Sequence, residues 1–137
     1  MSLFGVFDVS GSAMSAQSIR LNVTSSNLAN ANTVSSNRNQ TYRAREPVFA
    51  AAMDMVNGDP ADAGVRVKGI VESKVPVQAR YQPDHPLANK DGYIFLPNVN
   101  PIEEMANMIS ASRSYQYNVD AMNTSKQLLL ATLRLGQ

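Results

Sequence analysis

The single histidine, His85, is the first candidate for chemistry, because an unperturbed imidazole titrates near neutral pH. It lies between Pro83 and Pro86, beside Asp84, which could in principle orient the ring for base catalysis. The prolines fix the local backbone, however, and neighbouring side chains of an extended stretch point apart. No Gly-x-Ser-x-Gly nucleophile motif accompanies the pair. A small hydrolase using His85 therefore stays a weak alternative, and the sequence predicts a surface-loop histidine and no catalytic residue.

Metal and cofactor sites are not predicted either. The chain has no cysteine, which excludes disulfides, thiolate metal sites and a cysteine nucleophile. One histidine leaves mainly carboxylates as ligands, and no EF-hand loop pattern occurs. Gly5 and Gly11 are too far apart for a phosphate-binding loop. We expect no metal and no cofactor.

Charge argues against nucleic acid and membranes as partners. The formal net charge is +1, and the one basic cluster, Arg38, Arg43 and Arg45 around Tyr42, is diluted by Glu46 and later aspartates. A solvated or interface loop explains this cluster better. No stretch approaches the roughly 20 apolar residues of a membrane span.

The N-terminal sequence does not have the pattern of a cleaved secretory signal. No Lys or Arg precedes Arg20, and the apolar stretch from Leu3 to Val9 is interrupted by Gly5 and Asp8. Export, if it occurs, is expected to use another route.

Residues 1–37 contain only Asp8 and Arg20 as charged side chains and are rich in small polar residues. Such residues suit a surface that a neighbouring protein covers, because they form hydrogen bonds without the desolvation cost of a charge. A flexible tail has a similar composition. Helical spacing over about residues 10–31 favours the first interpretation.

Two apolar series run along this predicted helix on nearly opposite sides, at about 100° per residue. One partner cannot cover both sides, so a helix packed between partners is indicated, although single exposed leucines are common. The first series is Val9, Ala13, Ala16, Ile19 and Val23, and the second is Met14, Leu21 and Leu28.

A second helix is predicted from Pro101 to about Leu135. Asn100 is a suitable N-cap, Pro101 suits the first helical position, and Glu103 could close a capping box. Heptad spacing defines one apolar row, and a companion row is interrupted by Ser112 and Lys126. The first row is Met108, Tyr115, Met122 and Leu129, and the companion row has Met105, Val119 and Leu133.

The length of this helix has a consequence. About 35 residues at 1.5 Å each give roughly 50 Å, whereas a compact chain of this size is about 37 Å across. The helix should protrude and need partners. The first helix could supply one in a parallel or antiparallel pair, and other subunits the rest.

The middle, residues 38–100, contains most of the charges and all seven prolines except Pro101. Strands are predicted at Val65–Lys68 with its continuation to Val71, at Val75–Val77 and at Tyr93–Leu96, with a turn at Asp91-Gly92. Loops are predicted at Asn57–Pro60 and Pro83–Asn89. The predicted fold class is mainly α, with long terminal helices pairing as a coiled-coil-like core and a small β-rich or irregular insert.

Specific motifs in both ends resemble a known family. Ser12-Ala13-Met14-Ser15-Ala16-Gln17, Arg20-Leu21-Asn22 and the stretch from Ser26-Asn27-Leu28-Ala29-Asn30 to Thr33 resemble the N-terminal motif of flagellar rod, hook and hook-associated proteins. Tyr81–Ala88, Leu96–Asn100, Ser110–Gln116 and Leu133–Gln137 narrow the resemblance to a small protein of the proximal rod. Tyr117 stands where such proteins often have alanine.

The resemblance implies a structural subunit of the basal-body rod that leaves through the flagellar type III export apparatus without signal cleavage and works in the periplasm. It also implies that residues 1–37 and 101–137 pair into one core domain around the insert, and that the chain assembles with itself and other rod proteins to transmit torque. The other small proximal rod subunit is the nearest alternative. The residues expected at assembly contacts are Met14, Leu21, Asn27, Leu28, Asn30, Met105, Met108, Tyr115, Met122 and Leu129.

Overall fold

The structure, a computed structural model, describes residues 3–52 and 63–135. A long helix lies at each end of the chain, and two small antiparallel sheets come between the helices in sequence. The predicted order of terminal helices with a β insert is confirmed. The elements are α1 (Leu3–Asn30), β1 (Arg45–Ala52), β2 (Gly64–Glu72), β3 (Gln78–Tyr81), β4 (Tyr93–Leu96) and α2 (Pro101–Leu135).

Helix α1 begins at Leu3, seven residues before the predicted start near residue 10. Glycine costs a helix about 1 kcal/mol relative to alanine, and this cost makes the segment with Gly5 and Gly11 a poor helix by propensity. Packing offsets the cost at one of these positions. A Cβ atom at Gly11 would lie 4.0 Å from Cε of Met122, so the helix backbone comes close to a side chain of α2 there.

Helix α2 begins at Pro101, as predicted, and the Asn100 side chain caps it. The backbone N–H of Ile102 donates to Asn100 Oδ1 at 3.1 Å, and that of Glu104 donates to the Asn100 carbonyl at 3.0 Å. Glu103 makes no capping-box bond in the described part of the chain. The predicted stop at Gly136 lies outside the described residues.

The two helices pack side by side and antiparallel. Arg20 Nη2 donates to Asn107 Oδ1 at 3.0 Å, and Asn27 Nδ2 donates to Glu104 Oε1 at 3.0 Å. Gly11, earlier in α1, approaches Met122, later in α2. Later residues of α1 therefore contact earlier residues of α2. Of the parallel and antiparallel pairings that the sequence allowed, the structure has the antiparallel one.

Strands β1 and β2 form a hairpin beside α1. Their pairing runs from Arg45 with Glu72 to Ala52 with Gly64, and the register shifts between Val48 and Phe49. The prediction found β2 but missed β1, because its sequence, REPVFAAA, is rich in alanine and contains a proline. The loop predicted at Asn57–Pro60 lies outside the described residues.

Strands β3 and β4 form the second sheet, from Gln78 with Leu96 to Tyr81 with Tyr93. Strand β4 was predicted correctly, but the predicted strand at Val75–Val77 was wrong: the paired strand β3 begins at Gln78. Gly92 adopts φ +80° at the predicted turn before β4. A Cβ atom there would lie 2.8 Å from the Tyr81 ring, so glycine is required for both space and backbone conformation.

Within residues 3–52 and 63–135, the buried apolar residues are mostly alanine and valine. They are Ala16, Val23, Ala31, Ala44, Val77, Ile94 and Ala111. The largest side chain below 2% exposure is polar, that of Asn27. The whole chain exposes 9542 Å², whereas a compact monomer of 14.9 kDa would expose about 7,000 Å².

Candidate assembly interface

Asn27 joins three parts of the fold through its side chain. Its Nδ2 donates to the carbonyl of Arg45 at 2.8 Å and to Glu104 Oε1 at 3.0 Å. Its Oδ1 accepts from the Tyr42 hydroxyl at 2.8 Å and from the backbone N–H of Arg45 at 3.0 Å. Asparagine has two side-chain N–H groups and two acceptor positions, so its hydrogen-bonding capacity is fully used within the chain.

This network is buried, with Asn27 at 1% exposure. A buried amide that loses its partners costs about 1–3 kcal/mol, so the network tolerates little displacement of α2 or β1. The terminal motif predicts Asn27 as an assembly residue but does not indicate its partners. Its partners are distant in sequence, so no local spacing could have shown them.

Burial raises the pKa of Glu104 above its ordinary value, and the nearby carboxylates Glu103 and Glu46 add to the rise. The hydrogen bond from Asn27 and the positive charge of Arg20 oppose it. Asn27 donates to the carboxylate, which favours the ionised form, but desolvation is the larger effect. The helix pair thus contains a carboxyl group whose ionised form is stabilised by the hydrogen bond from Asn27 and destabilised by burial.

The predicted heptad row of α2 lies on or beside the face that α1 covers. Met108, Met122 and Leu129 are half-buried, and Tyr115 is 40% exposed. Of the predicted companion row, Val119 is half-buried, whereas Met105 and Leu133 are exposed. The buried companion positions are Glu104, Ala111 and Ser125, with Asn118 half-buried, and an apolar pattern does not predict them because they are polar or small. Small residues let the two backbones approach, which an apolar pattern does not reveal.

Met105, the first residue of the predicted companion row, lies away from the covered face. Met105 is 46% exposed and belongs to a separate face of α2, about 100° around the helix from the covered one. This outward face is apolar at both ends, and Ser112 and Lys126 make its middle more polar. The exposed apolar residues on this face are Ile102 (75%), Met105 (46%) and Ile109 (55%) near the start of α2 and Leu130 (47%) near its end. Leu133 is also exposed (65%), but it lies about 80° around the helix from Met105.

The predicted assembly residues of α1 also lie on two different sides of their helix. Met14, Leu21 and Leu28 are half-buried, at helical angles more than 90° from the buried Ala16, Val23 and Asn27. This placement supports the two apolar sides expected from the sequence. Asn30 is half-buried, and its Nδ2 donates to the Ser26 carbonyl at 2.8 Å, a bond within the same helix.

The histidine considered for catalysis has a local structural role. His85 Nδ1 accepts a hydrogen bond from the backbone N–H of Leu87 at 3.1 Å, within the predicted loop. Across residues 3–52 and 63–135, no group of three or more potential ligands could hold a metal ion. No helix in the described ranges combines the length and hydropathy that crossing a membrane requires.

Two family comparisons match the two ends of the chain. Residues 7–35 match the family described as flagella basal body rod protein. Residues 90–135 match the family described as flagellar basal body rod FlgEFG protein C-terminal. These ranges contain most of the antiparallel helix pair. The chain is therefore a protein of the flagellar basal-body rod class.

Curated relatives narrow the class to one family. The chain is 48% identical over 137 residues to the flagellar basal-body rod protein FlgC of Salmonella typhimurium (strain LT2). It is 49% identical over 139 residues to FlgC of Escherichia coli O6:H1, and 50% identical over 137 residues to FlgC of Yersinia enterocolitica. Each alignment covers 100% of both chains. The chain belongs to the FlgC family of flagellar basal-body rod proteins.

Membership of the FlgC family decides between the rod subunit, the other small rod subunit and the hydrolase that the sequence left as possible functions. The chain is a structural subunit of the basal-body rod, it assembles with other flagellar proteins, and it is not an enzyme. The other small proximal rod subunit is not favoured, because the relatives matched over their full length are named FlgC.

Proposed function

We propose that the protein polymerises through its terminal helices as part of the proximal rod and transmits torque across the periplasm. The observation that supports this most directly is the apolar outward face of α2, which no element of the described chain covers. Residues such as Ile102 and Ile109 remain 75% and 55% exposed. Exposed apolar faces of this kind are typical of protein–protein contacts.

In this proposal, residues 1–37 and 101–137 form one core domain with coiled-coil-like packing, and residues 38–100 decorate it. The heptad row of α2 from Met108 to Leu129, next to α1, supports such packing. A subunit that binds its neighbours through two different surfaces, without closing a ring, generates a helical filament. Close-packed contacts resist deformation, so torque would pass between subunits with little loss.

The predicted assembly residues would serve this filament in two ways. The partly accessible ones, Met14, Leu21, Leu28, Met105 and Tyr115, would contact neighbouring subunits directly. The ones placed towards the helix pair or bonded within it would act by holding its shape. This second group is Asn27, Met108, Met122 and Leu129, whereas Asn30 would only stabilise the end of α1 through its bond to the Ser26 carbonyl.

We further propose that the protein is exported by the flagellar type III apparatus without signal cleavage and acts in the periplasm. The resemblance of its terminal motifs to axial proteins supports this route. Its lack of cysteine also suits an unfolded passage, because no disulfide would have to form at the destination.

A double substitution on the outward face tests the central proposal. Met105→Gln with Ile109→Gln keeps side-chain size and helix propensity similar and removes apolar surface. Burying each original side chain in a contact would contribute about 1.5–3 kcal/mol, so each change should weaken a contact about tenfold or more. We expect few complete rods in electron micrographs of basal bodies, loss of swimming in soft agar, and an unchanged helical circular dichroism signal.

The matched control is Ala106→Gln with Ser110→Gln, at the exposed positions that follow Met105 and Ile109 in the same helix. This variant should swim normally. Normal rods in the Met105/Ile109 variant would show that the outward face is not an assembly surface.

A further inference from the structure

We propose that Asn27 is a positioning residue that fixes the direction of the β1–β2 hairpin relative to the helix pair. This role goes beyond the assembly function and concerns where the insert stands on the subunit. It follows from what Asn27 binds: a side chain of α2 and both backbone polar groups of Arg45, the first residue of β1.

The backbone contacts make the attachment directional. Because Asn27 accepts from the N–H of Arg45 and donates to its carbonyl, it holds the start of β1 in one orientation, whatever side chain that residue carries. The Tyr42 hydroxyl, which also donates to Asn27 Oδ1, holds the segment just before the strand. The Arg45 guanidinium lies 5.5 Å from the centre of the Tyr42 ring, and this cation–π contact also holds the segment before the strand.

The hairpin has a second attachment to α1. Ser12 Oγ accepts from the backbone N–H of Val65 at 3.0 Å, near the other end of the hairpin. Ser12 and Asn27 are 15 positions apart, which is roughly 22 Å along a helix. Two polar attachments at this separation set both the position and the angle of the hairpin on α1.

Between these two points the packing is open. A groove of about 520 Å³ lies between α1 and the hairpin, and its lining includes Ile19, Asn22 and Ile70. Ile70 remains 51% exposed. Apolar contact is non-directional and tolerates sliding, and here it is also incomplete. The polar attachments must therefore supply the specificity of the arrangement.

Pairing of the helices is coupled to the hairpin through the same residue. When α2 is in place, Glu104 occupies one N–H of Asn27 and restricts rotation of the amide, which leaves the other N–H and Oδ1 directed at Arg45. The helix pair thus orients the hairpin, and a displaced α2 would release it. In a rod, this coupling would give the insert of each subunit the same orientation on the outside of the shaft.

Distance measurements between two spin labels test this role. The native chain has no cysteine, so Lys68→Cys on the hairpin and Ser110→Cys on α2, both exposed, provide unique labelling sites. We expect a single narrow distance distribution in the full-length protein. Asn27→Ala should broaden that distribution at least twofold while the helical circular dichroism signal is retained.

Asn30→Ala is the matched control. It removes the same residue type three positions further along α1, but its side-chain bond stays within the helix. The distribution should remain narrow. An equally narrow distribution in the Asn27→Ala variant would overturn the proposal.

A rescue experiment keeps the proposal testable if Asn27→Ala does not fold. Asn27→Asp removes both N–H donors and places a carboxylate against Glu104, so it should broaden the distribution. Adding Glu104→Gln restores a donor across the helix pair and should narrow it again, at least halfway to the native width. A double variant no narrower than Asn27→Asp would contradict the proposal. The measurement needs no rod, so its outcome is independent of the proposed assembly function.

Discussion

The two helices of this protein differ in how much of their surface the chain itself covers. Helix α1 is flanked by α2 on one side and by the hairpin on another, and its charged residues are only Asp8 and Arg20. Helix α2 is covered along one face and exposes Ile102, Ile109 and Tyr117 to solvent. Helix α1 thus packs against other elements of the subunit on two sides, whereas α2 leaves several large apolar side chains exposed.

The covered face of α2 provides the largest expected effect on stability. Ala111 has 0% exposure, so Ala111→Leu would force extra methyl groups between the helices. Such overpacking typically costs about 1–3 kcal/mol. Urea denaturation followed by circular dichroism should show this loss. Ala106→Leu, on an exposed position of the same helix, should change the free energy of unfolding by less than about 0.5 kcal/mol. Equal effects would mean that α1 does not cover α2 closely at Ala111.

A smaller loss of stability is expected at the start of α2, and this loss does not depend on packing against α1. Asn100→Ala removes the side-chain acceptor for the Ile102 N–H and should cost about 0.5–2 kcal/mol. The loss should appear as a lower urea midpoint with an unchanged slope. Asn123→Ala, at an exposed position within α2, should leave the midpoint unchanged or raise it slightly, because alanine is the better helix former. A matching loss in that control would contradict the capping role.

The smallest expected effect concerns pH and the buried carboxyl of α2. The pKa of Glu104 is raised on folding by burial. Below the ordinary carboxyl pKa the group is protonated in both states, and its contribution to the free energy of unfolding is at its greatest. As the pH rises towards the raised pKa, the unfolded state ionises first and that contribution is lost. Stability attributable to Glu104 should therefore fall over this interval and stay constant above it.

Glu104→Gln tests this pH dependence because the amide oxygen can still accept from Asn27. Relative to the native chain, the variant should gain stability as the pH rises from about 3 to 7, measured by urea denaturation at each pH. Glu103→Gln, at the adjacent exposed position, serves as the control and should show no comparable gain. A stability difference between Glu104→Gln and the native chain that does not vary with pH would contradict the raised pKa.

Local pattern predicted those elements whose signals lie within a few residues. The N-cap at Asn100, the proline at the first helical position and the heptad row located α2 correctly. Alternation located β2, and Asp91-Gly92 located the turn before β4. The alanine-rich strand β1 was missed, because it is held by pairing with β2 and by Asn27 rather than by its own propensity.

The sequence by itself determined the terminal helices, the absence of cysteine chemistry and, through the motifs of α1 together with those before and within α2, the resemblance to the family. Only the tertiary structure decided that the helices are antiparallel, that Glu104 and Ala111 face α1, and that Met105 faces outward. The physical reason is that helical periodicity fixes which residues share a face, but not which face another element covers. Here that choice depends on buried hydrogen bonds between residues far apart in the chain, and no local pattern records them.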